Sequence, residues 1–165
     1  MLPNIEKGEY DLVIGVDASG RIPTLILEKF IKHVYSKKGL DMPNVRFVAG
    51  DINEKESLGK IYKWNPQKKV LIVEDSIVSG SSIASLCQAL RENNILFDIA
   101  AVGIIGAGEE ASEALKENLD AENIYLGTHD EPYIYRRREL SGVVKEGKGE
   151  AHSRPSKDFE KDQEI

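Results

Sequence analysis

The sequence has little cysteine, no excess of basic residues and no long apolar run, and each shortage excludes a class of protein. Cys87 is the only cysteine in 165 residues, so an internal disulfide is impossible. Lysine and arginine total 22 against 28 aspartates and glutamates, and the formal charge of −6 excludes a general basic surface for nucleic acid. No segment approaches the roughly 20 apolar residues of a membrane-spanning helix. We therefore expect neither nucleic acid nor a membrane as a partner.

Other absences concern location and metal binding. Residues 1–7 have neither the apolar core nor the cleavage site of a secretory signal peptide, which predicts a cytoplasmic protein. The three histidines lie far apart in the sequence and have no zinc-ligand spacing. The length favours one domain with a single sizeable core.

A buried strand followed by two acids is the most informative feature that is present. Residues 70–73 are four consecutive apolar residues, three of them β-branched, and this pattern predicts a strand buried on both faces of a parallel sheet. Glu74 and Asp75 follow without a break. Because carboxylates are costly inside a core, we expect both at the carboxyl end of the strand, where ligands bind in open α/β sheets.

The next residues predict an anion site. Ser79, Gly80, Ser81 and Ser82 form a turn of small residues, and a helical pattern follows that places Ile83, Leu86, Cys87 and Leu90 on one face. The first amides of that helix point outward with the positive end of its dipole. Ionised carboxylates beside a phosphate loop favour a phosphorylated sugar, because ribose hydroxyls supply donors to them. Cys87, on the apolar face, is interpreted as a core thiol.

The run Val70–Ser82 resembles the phosphoribosyl pyrophosphate (PRPP) signature of type I phosphoribosyltransferases. The resemblance implies that Glu74 and Asp75 are the catalytic pair. In this role they bind the ribose hydroxyls of PRPP and contact the Mg²⁺ ion that is bound to PRPP. It further implies a 5′-phosphate loop made of Val78, Ser79, Gly80, Ser81 and Ser82. A strand that ends in a solvated acidic pair is the structural alternative.

A second strand, loop and helix occur earlier in the chain. Residues 11–16 predict a buried strand, and the helix after it should run to about Lys38, with Gly39 as its stop. We expect its buried side to carry four residues at four-residue intervals: Ile22, Ile26, Phe30 and Val34. By resemblance, the loop between strand and helix receives the pyrophosphate of PRPP through Ala18, Ser19, Gly20 and Arg21. A plain turn with a solvated arginine is the alternative.

The alternation of strands and helices predicts the fold. Further strands are expected at 45–49, 97–105 and 123–127, with a helix at 109–119. The prediction is therefore an α/β three-layer sandwich with a mostly parallel five-stranded sheet, type I phosphoribosyltransferase-like, in the order 2-1-3-4-5. That order places strands 1 and 3 side by side and their two loops at the switch point.

Aromatic and basic residues follow the last predicted strand, and a charged segment ends the sequence. In purine-type relatives the segment after the last strand covers the base, a role for which Tyr133, Tyr135 and Arg136 are candidates; a solvated patch or a subunit contact is the alternative. Residues 145–165 are charged and nearly without apolar residues, which predicts a flexible tail after a phosphoribosyltransferase-like domain at 1–144. A homodimer is compatible with these features.

The resemblance implies an enzyme that moves the phosphoribosyl group of PRPP to a small nitrogenous acceptor, with Mg²⁺ as cofactor. Where 6-oxopurine enzymes carry an aspartate, this chain has Val78, which cannot transfer protons, so hypoxanthine and guanine are disfavoured. A second hypothesis is a PRPP- or nucleotide-binding regulator of the same fold without transferase activity. A third is a hydrolase-like enzyme with Asp17 as nucleophile, which leaves the Val70–Ser82 pattern unexplained.

Overall fold

Five parallel strands form the sheet of the computed structural model. They are β1 (Tyr10–Asp17), β2 (Asn44–Ala49), β3 (Lys69–Ile77), β4 (Phe97–Ile104) and β5 (Asn123–Thr128). Their order is β2-β1-β3-β4-β5, and each neighbouring pair is parallel. The predicted α/β class, the five-stranded sheet and the strand order are confirmed.

The structure describes residues 1–17, 19–49, 59, 63, 66–77, 80–104, 109–128, 143–145 and 151–153. The chain divides into two units, residues 1–130 and residues 131–165. All five strands of the sheet belong to the first unit. Tyr133, Tyr135 and Arg136, the candidates for covering a base, lie outside the described residues.

Four helices accompany the sheet in the described part of the first unit. They are α1 (Leu2–Glu6), α2 (Arg21–Lys38), α3 (Ser81–Glu92) and α4 (Glu109–Leu119). As predicted, α2 ends at Lys38, because Gly39 takes the left-handed conformation with a φ of 66°.

Apolar residues pack on both faces of the sheet. On one face, alternate residues of β1 and β3 pack with α3 and α4, and all four residues predicted for the buried face of α3 are buried there: Ile83, Leu86, Cys87 and Leu90. On the other face, Val13, Leu71 and Val73 pack with residues of α1 and α2. The three-layer arrangement is thereby confirmed. Burial raises the pKa of the Cys87 thiol to about 12, in keeping with its interpretation as a core residue.

The prediction of which side of α2 is buried is wrong. Ile22 is 70% exposed, Ile26 66% and Phe30 43%, and Val34 is only half-buried. The buried side instead carries three residues on the opposite side of the helix: Thr24, Ile31 and Tyr35.

Specific contacts explain why α2 packs through that other side. The Tyr35 hydroxyl donates a hydrogen bond to the carbonyl oxygen of Tyr10 at 3.0 Å and accepts one from the Tyr10 amide at 3.1 Å. Both tyrosines are buried, so these hydrogen bonds satisfy polar groups that would otherwise be costly. The apolar side chains on the predicted side of α2 have no polar group that could form such hydrogen bonds with β1.

A buried carboxylate holds the amino ends of the strands together. Asp98 on β4 is fully buried and accepts hydrogen bonds from the Tyr10 hydroxyl at 2.5 Å, from Asn123 Nδ2 at 3.0 Å and from Asn4 Nδ2 at 3.3 Å. Lys69 Nζ lies 3.5 Å from its Oδ2. These contacts join α1, β1, β3, β4 and β5 at the edge of the sheet opposite to the predicted site.

The second unit contains a short antiparallel pair of strands, β6 (Val143–Lys145) and β7 (Ala151–Ser153). The predicted boundary at residue 144 falls inside β6, and both this boundary and the flexibility of residues 145–165 stay predictions. None of the helices in the described part of the chain is long and apolar enough to span a bilayer.

Candidate functional site

The two predicted loops meet at the carboxyl edge of the sheet. Strands β1 and β3 are parallel neighbours, with Gly15 opposite Val73, so the chain leaves both strands at the same edge. Ser19, in the turn before α2, donates a hydrogen bond from its hydroxyl to Glu74 Oε1 at 3.3 Å. This hydrogen bond directly joins the predicted pyrophosphate loop to the predicted acidic pair.

Glu74 is buried, although the sequence analysis expected it outside the core, at the carboxyl end of the strand. Strand β3 continues through both acids to Ile77, and Glu74 is only 3% exposed. Its Oε1 also accepts a hydrogen bond from the Asp75 amide at 3.2 Å. Burial is the main cause that raises the pKa of Glu74 to about 7, and the neighbouring Asp75 adds to the effect. The Glu74 side chain therefore changes between its acid and carboxylate forms near neutral pH.

Asp75 is the more accessible member of the pair. Its side chain is half-buried, and Oδ1 accepts hydrogen bonds from the Ser76 amide at 2.6 Å and from the Ser76 hydroxyl at 3.3 Å. These contacts orient the carboxylate without enclosing it. Asp75 is thus better placed than Glu74 to meet a ligand at the edge of the sheet.

Gly20 allows the first loop to lie against two strands. A Cβ atom at this position would come within 2.5 Å of the Val16 carbonyl oxygen and 2.8 Å of the Val73 carbonyl oxygen, so no side chain fits there. The Thr24 hydroxyl donates to the Gly20 carbonyl oxygen at 2.6 Å and ties the loop to the first turn of α2. The loop is therefore held close to the end of β3.

Arg21 has a contact that the sequence analysis did not foresee. Its guanidinium carbon lies 4.8 Å from the centre of the Phe47 ring on β2, within the range of a cation–π interaction. The Arg21 side chain is exposed, so the guanidinium stays accessible from solvent.

Two residues that the sequence analysis missed support this part of the site, Phe47 and Thr24. The sequence feature that points to both residues is Gly15, a glycine in the middle of a buried strand. A Cβ atom there would lie 2.5 Å from Thr24 Oγ1 and 2.8 Å from the Phe47 ring, so glycine makes room for both side chains.

The second loop leads into α3 through Gly80. This residue has a φ of 76° and occupies the N-cap position, which gives the helix no capping side chain. A Cβ atom at Gly80 would approach Leu115 of α4 to 3.0 Å, so the turn also packs closely on the neighbouring helix. Ser81 and Ser82 follow in the first turn of α3, and both are exposed. Their amides lie in the first turn of α3, at the positive end of the helix dipole.

The structure brings eight predicted site residues to one edge of the sheet. These are Ser19, Gly20, Arg21, Glu74, Asp75, Gly80, Ser81 and Ser82. Ala18, Val78 and Ser79, the remaining members of the two loops, lie outside the described residues. The side chain of Asp17, the nucleophile of the third hypothesis, is likewise not described.

The carboxylates of Glu74 and Asp75 are the potential metal ligands of this edge of the sheet. Within the described ranges, no group of three or more histidine, cysteine, aspartate or glutamate side chains is arranged to hold one. The carboxylates of Glu74 and Asp75 are oxygen ligands of the kind that Mg²⁺ accepts, and this ion commonly takes one or two carboxylates together with substrate oxygens and waters. The residues present therefore fit a magnesium ion that arrives with its substrate.

Comparisons with known proteins give structural neighbours. No family model matches the chain, and no curated protein is similar to it in sequence. A purine phosphoribosyltransferase from Pyrococcus horikoshii Ot3 is similar in structure, with a TM-score of 0.43, 13% identity, and coverage of 75% of this chain and 74% of that one. An orotate phosphoribosyltransferase from Aeropyrum pernix is similar with a TM-score of 0.41 and 21% identity. This match covers 72% of the present chain and 57% of the orotate phosphoribosyltransferase chain. At TM-scores below 0.5, neither similarity extends to a conclusion about what this chain binds.

Proposed function

We propose that this protein is a phosphoribosyltransferase that moves the phosphoribosyl group of PRPP to a nitrogen nucleophile and releases pyrophosphate. The observation that carries the proposal is the hydrogen bond from Ser19 of the first loop to Glu74 of β3, which holds that loop against the strand that leads into the second loop. PRPP has phosphate groups at both ends of a ribose, so its recognition requires two anion sites with hydrogen-bond acceptors between them. The edge of this sheet offers that combination.

Each part of the ligand has a candidate partner. The outward-pointing amides of Gly80, Ser81 and Ser82, with Val78 and Ser79 before them in the loop, bind the 5′-phosphate at the positive end of the α3 dipole. Asp75 accepts hydrogen bonds from the ribose hydroxyls. The loop of Ala18, Ser19, Gly20 and Arg21 binds the diphosphate, and the Arg21 guanidinium supplies its cationic donors.

At the anomeric carbon of the ribose, the reaction forms one bond and breaks one. A lone pair on the acceptor nitrogen forms a bond to the anomeric carbon, while the bond from that carbon to the diphosphate oxygen breaks and its electron pair leaves on pyrophosphate. The proton displaced from the acceptor nitrogen passes to solvent or to a nearby base. The protein contributes by orienting the two reactants and by stabilising the negative charge that develops on the leaving group.

Glu74 has a supporting part in this proposal. Its buried side chain accepts hydrogen bonds from Ser19 of the first loop and from the amide of Asp75, the next residue on β3, so it positions the first loop beside Asp75. Asp75, the more accessible carboxylate of the pair, would meet a magnesium ion bound to PRPP. That ion would neutralise part of the diphosphate charge.

Turnover is the decisive test. Full-length protein is incubated with PRPP and Mg²⁺ and a panel of nucleobases, orotate and simple amines, and released pyrophosphate is measured together with the nucleotide product. We expect one acceptor to give equal amounts of both. Saturable PRPP binding without turnover on any acceptor would favour the alternative function, a PRPP-binding regulator of the same fold.

Substitution of Asp75 tests the site independently of the acceptor. Asp75→Ala removes a charged hydrogen-bond acceptor worth about 1.5–3 kcal/mol, so we expect PRPP affinity to fall roughly 10- to 100-fold. Asp41→Ala is the matched control, because Asp41 is exposed and lies before β2. Isothermal titration calorimetry measures the PRPP affinity of both variants. If neither the natural protein nor the control binds PRPP at millimolar concentration, the proposed function is wrong.

A further inference from the structure

The ring of Phe47 connects β2 with the first loop of the site. Phe47 is half-buried and lies opposite Gly15 of β1 in the sheet. A Cβ atom at position 15 would lie 2.8 Å from both Cδ1 and Cε1 of the ring, so the ring occupies the space that a side chain on β1 would take. Thr24 Oγ1, in the first turn of α2, would lie 2.5 Å from the same Cβ atom. The ring is thus packed between β1 and the start of α2.

Arg21 joins a fixed backbone to a long, exposed side chain. It is the first residue of α2 and directly follows Gly20. The Gly20 amide donates a hydrogen bond to the Val16 carbonyl oxygen at 2.9 Å, and the Gly20 carbonyl oxygen accepts one from Thr24 Oγ1 at 2.6 Å. An exposed arginine side chain has many rotamers, and ordering it on a ligand lowers the affinity unless the protein has already restricted it.

Phe47 supplies such a restriction. The guanidinium carbon of Arg21 lies over the ring, 4.8 Å from its centre, inside the ~6 Å range of a cation–π interaction. The N–H donors of a guanidinium point outward in its own plane. Attraction through its face therefore does not compete with forked hydrogen bonds from its edge to phosphate oxygens.

We propose that Phe47 is a positioning residue for the diphosphate, because its ring holds the Arg21 guanidinium beside the first loop before the ligand arrives. This inference rests on the proposed function, in which Arg21 supplies the cationic donors to the diphosphate. Phe47 acts through Arg21 and needs no contact with the ligand. The affinity for a diphosphate then depends on an aromatic ring at position 47, whereas the affinity for a ligand of the second loop alone does not.

Removal of the ring tests the inference. Phe47→Leu keeps an apolar side chain over Gly15, and Phe47→Met gives a second variant without a ring. By isothermal titration calorimetry with Mg²⁺, we expect the affinities for pyrophosphate and PRPP to fall roughly 2- to 10-fold, as for a partly exposed cation–π contact. The affinity for ribose 5-phosphate, which occupies only the second loop in the proposed site, should stay unchanged. Phe47→Tyr retains the ring and should bind all three ligands like the natural protein.

A double-mutant cycle tests whether Phe47 acts through Arg21. Once Arg21 is replaced in Arg21→Ala, we expect Phe47→Leu to cause no further loss of pyrophosphate affinity. Phe30→Leu is the matched control, since it makes the same replacement at an exposed phenylalanine of α2 that lines neither loop. It should bind like the natural protein. Circular dichroism at the temperature of the titration shows whether each variant is folded.

Three results overturn the inference. They are an unchanged pyrophosphate affinity in the folded variants without the ring, an equal loss of affinity for pyrophosphate and ribose 5-phosphate, and an equal effect of Phe47→Leu with and without Arg21. In all three cases the natural protein still binds PRPP, so the proposed function stands. A natural protein that binds no PRPP refutes the proposed function, and this inference with it.

Discussion

At the scale of single residues, Glu74 and Asp75 have different environments although they are adjacent and both acidic. Glu74 is buried and bound to Ser19, and its pKa is raised to about 7, whereas Asp75 is half-buried and bound to Ser76. Glu74 joins the first loop to β3, and Asp75 is the more accessible of the two carboxylates. A pair that resembles one functional unit in the sequence therefore has two separate roles in the proposed site.

The raised pKa of Glu74 predicts how stability depends on pH. Between its ordinary value of 4.5 and about 7, the folded protein keeps a proton on Glu74 that the unfolded chain has lost, so the free energy of unfolding falls as pH rises through this window. We expect Glu74→Gln to lack this loss and to be more stable than the natural protein above pH 7 by about 1–3 kcal/mol. Urea denaturation at pH 4.5 and pH 8 measures the difference.

The control for this prediction is Glu92→Gln, at the exposed end of α3. We expect it to follow the natural protein at both pH values. A Glu74→Gln variant whose stability changes with pH in parallel with the natural protein would show that Glu74 does not carry the effect.

At the scale of elements, the amino edge of the sheet carries a network of buried hydrogen bonds, whereas the carboxyl edge carries the proposed binding site. Asp98 gathers hydrogen bonds from α1, β1 and β5, and Lys69 pairs with Glu122 as well as with Asp98. The opposite edge instead carries exposed serines, a half-buried carboxylate and a helix start without a capping side chain.

Tyr10→Phe tests the structural role of the amino edge. The Tyr10 hydroxyl is buried and donates to the Asp98 carboxylate, so its removal leaves a buried charge with one donor fewer. We expect a loss of about 1.5–3 kcal/mol in the free energy of unfolding, measured by chemical denaturation. PRPP affinity should not change, because the site is at the other edge.

Tyr125→Phe is the comparison for this variant. Tyr125 is only partly buried and accepts a hydrogen bond from the neutral Asn4 side chain, so we expect a loss below about 1 kcal/mol. Equal losses in the two variants would contradict a special role for the contact with Asp98.

At the scale of the whole molecule, the strand order brings together Ser19 and Glu74, which are 55 residues apart in the chain, and places the two loops at the same edge of the sheet. A single ligand that contacts both should stabilise the first unit as a whole. A ligand that binds only the folded state at 100 times its dissociation constant adds ~2.7 kcal/mol. For a chain of this length we expect Mg²⁺ and PRPP together to raise Tm by roughly 5–10 °C.

The controls for this thermal shift are Mg²⁺ with pyrophosphate and Mg²⁺ with ribose 5-phosphate. In the proposed site each of these ligands occupies only one of the two loops, so each should raise Tm less than PRPP does. If PRPP gives no larger shift than either fragment, the two loops do not form one site.

The sequence alone determined the elements and their order. The apolar runs in β1 and β3, the glycine after Lys38 and the buried face of α3 are local patterns, and local patterns specify strands, helix ends and periodicity directly. The alternation of strands and helices then restricts the topology to a few choices, and the sheet order was predicted correctly. The eight described candidate residues were predicted to lie at one edge of the sheet for the same reason, since their place in the chain follows from the strand ends; that they bind a ligand stays a prediction.

Only the tertiary structure decided which surfaces these elements present. Helix α2 carries apolar residues on two sides, and the pairing of Tyr35 with Tyr10 selects the buried one, leaving Ile22, Ile26 and Phe30 exposed. The burial of Glu74 and the contact of Arg21 with Phe47 depend on neighbours that are distant in the chain. Burial and partner choice are properties of packing between elements, and a local pattern contains no information on which neighbour will be there.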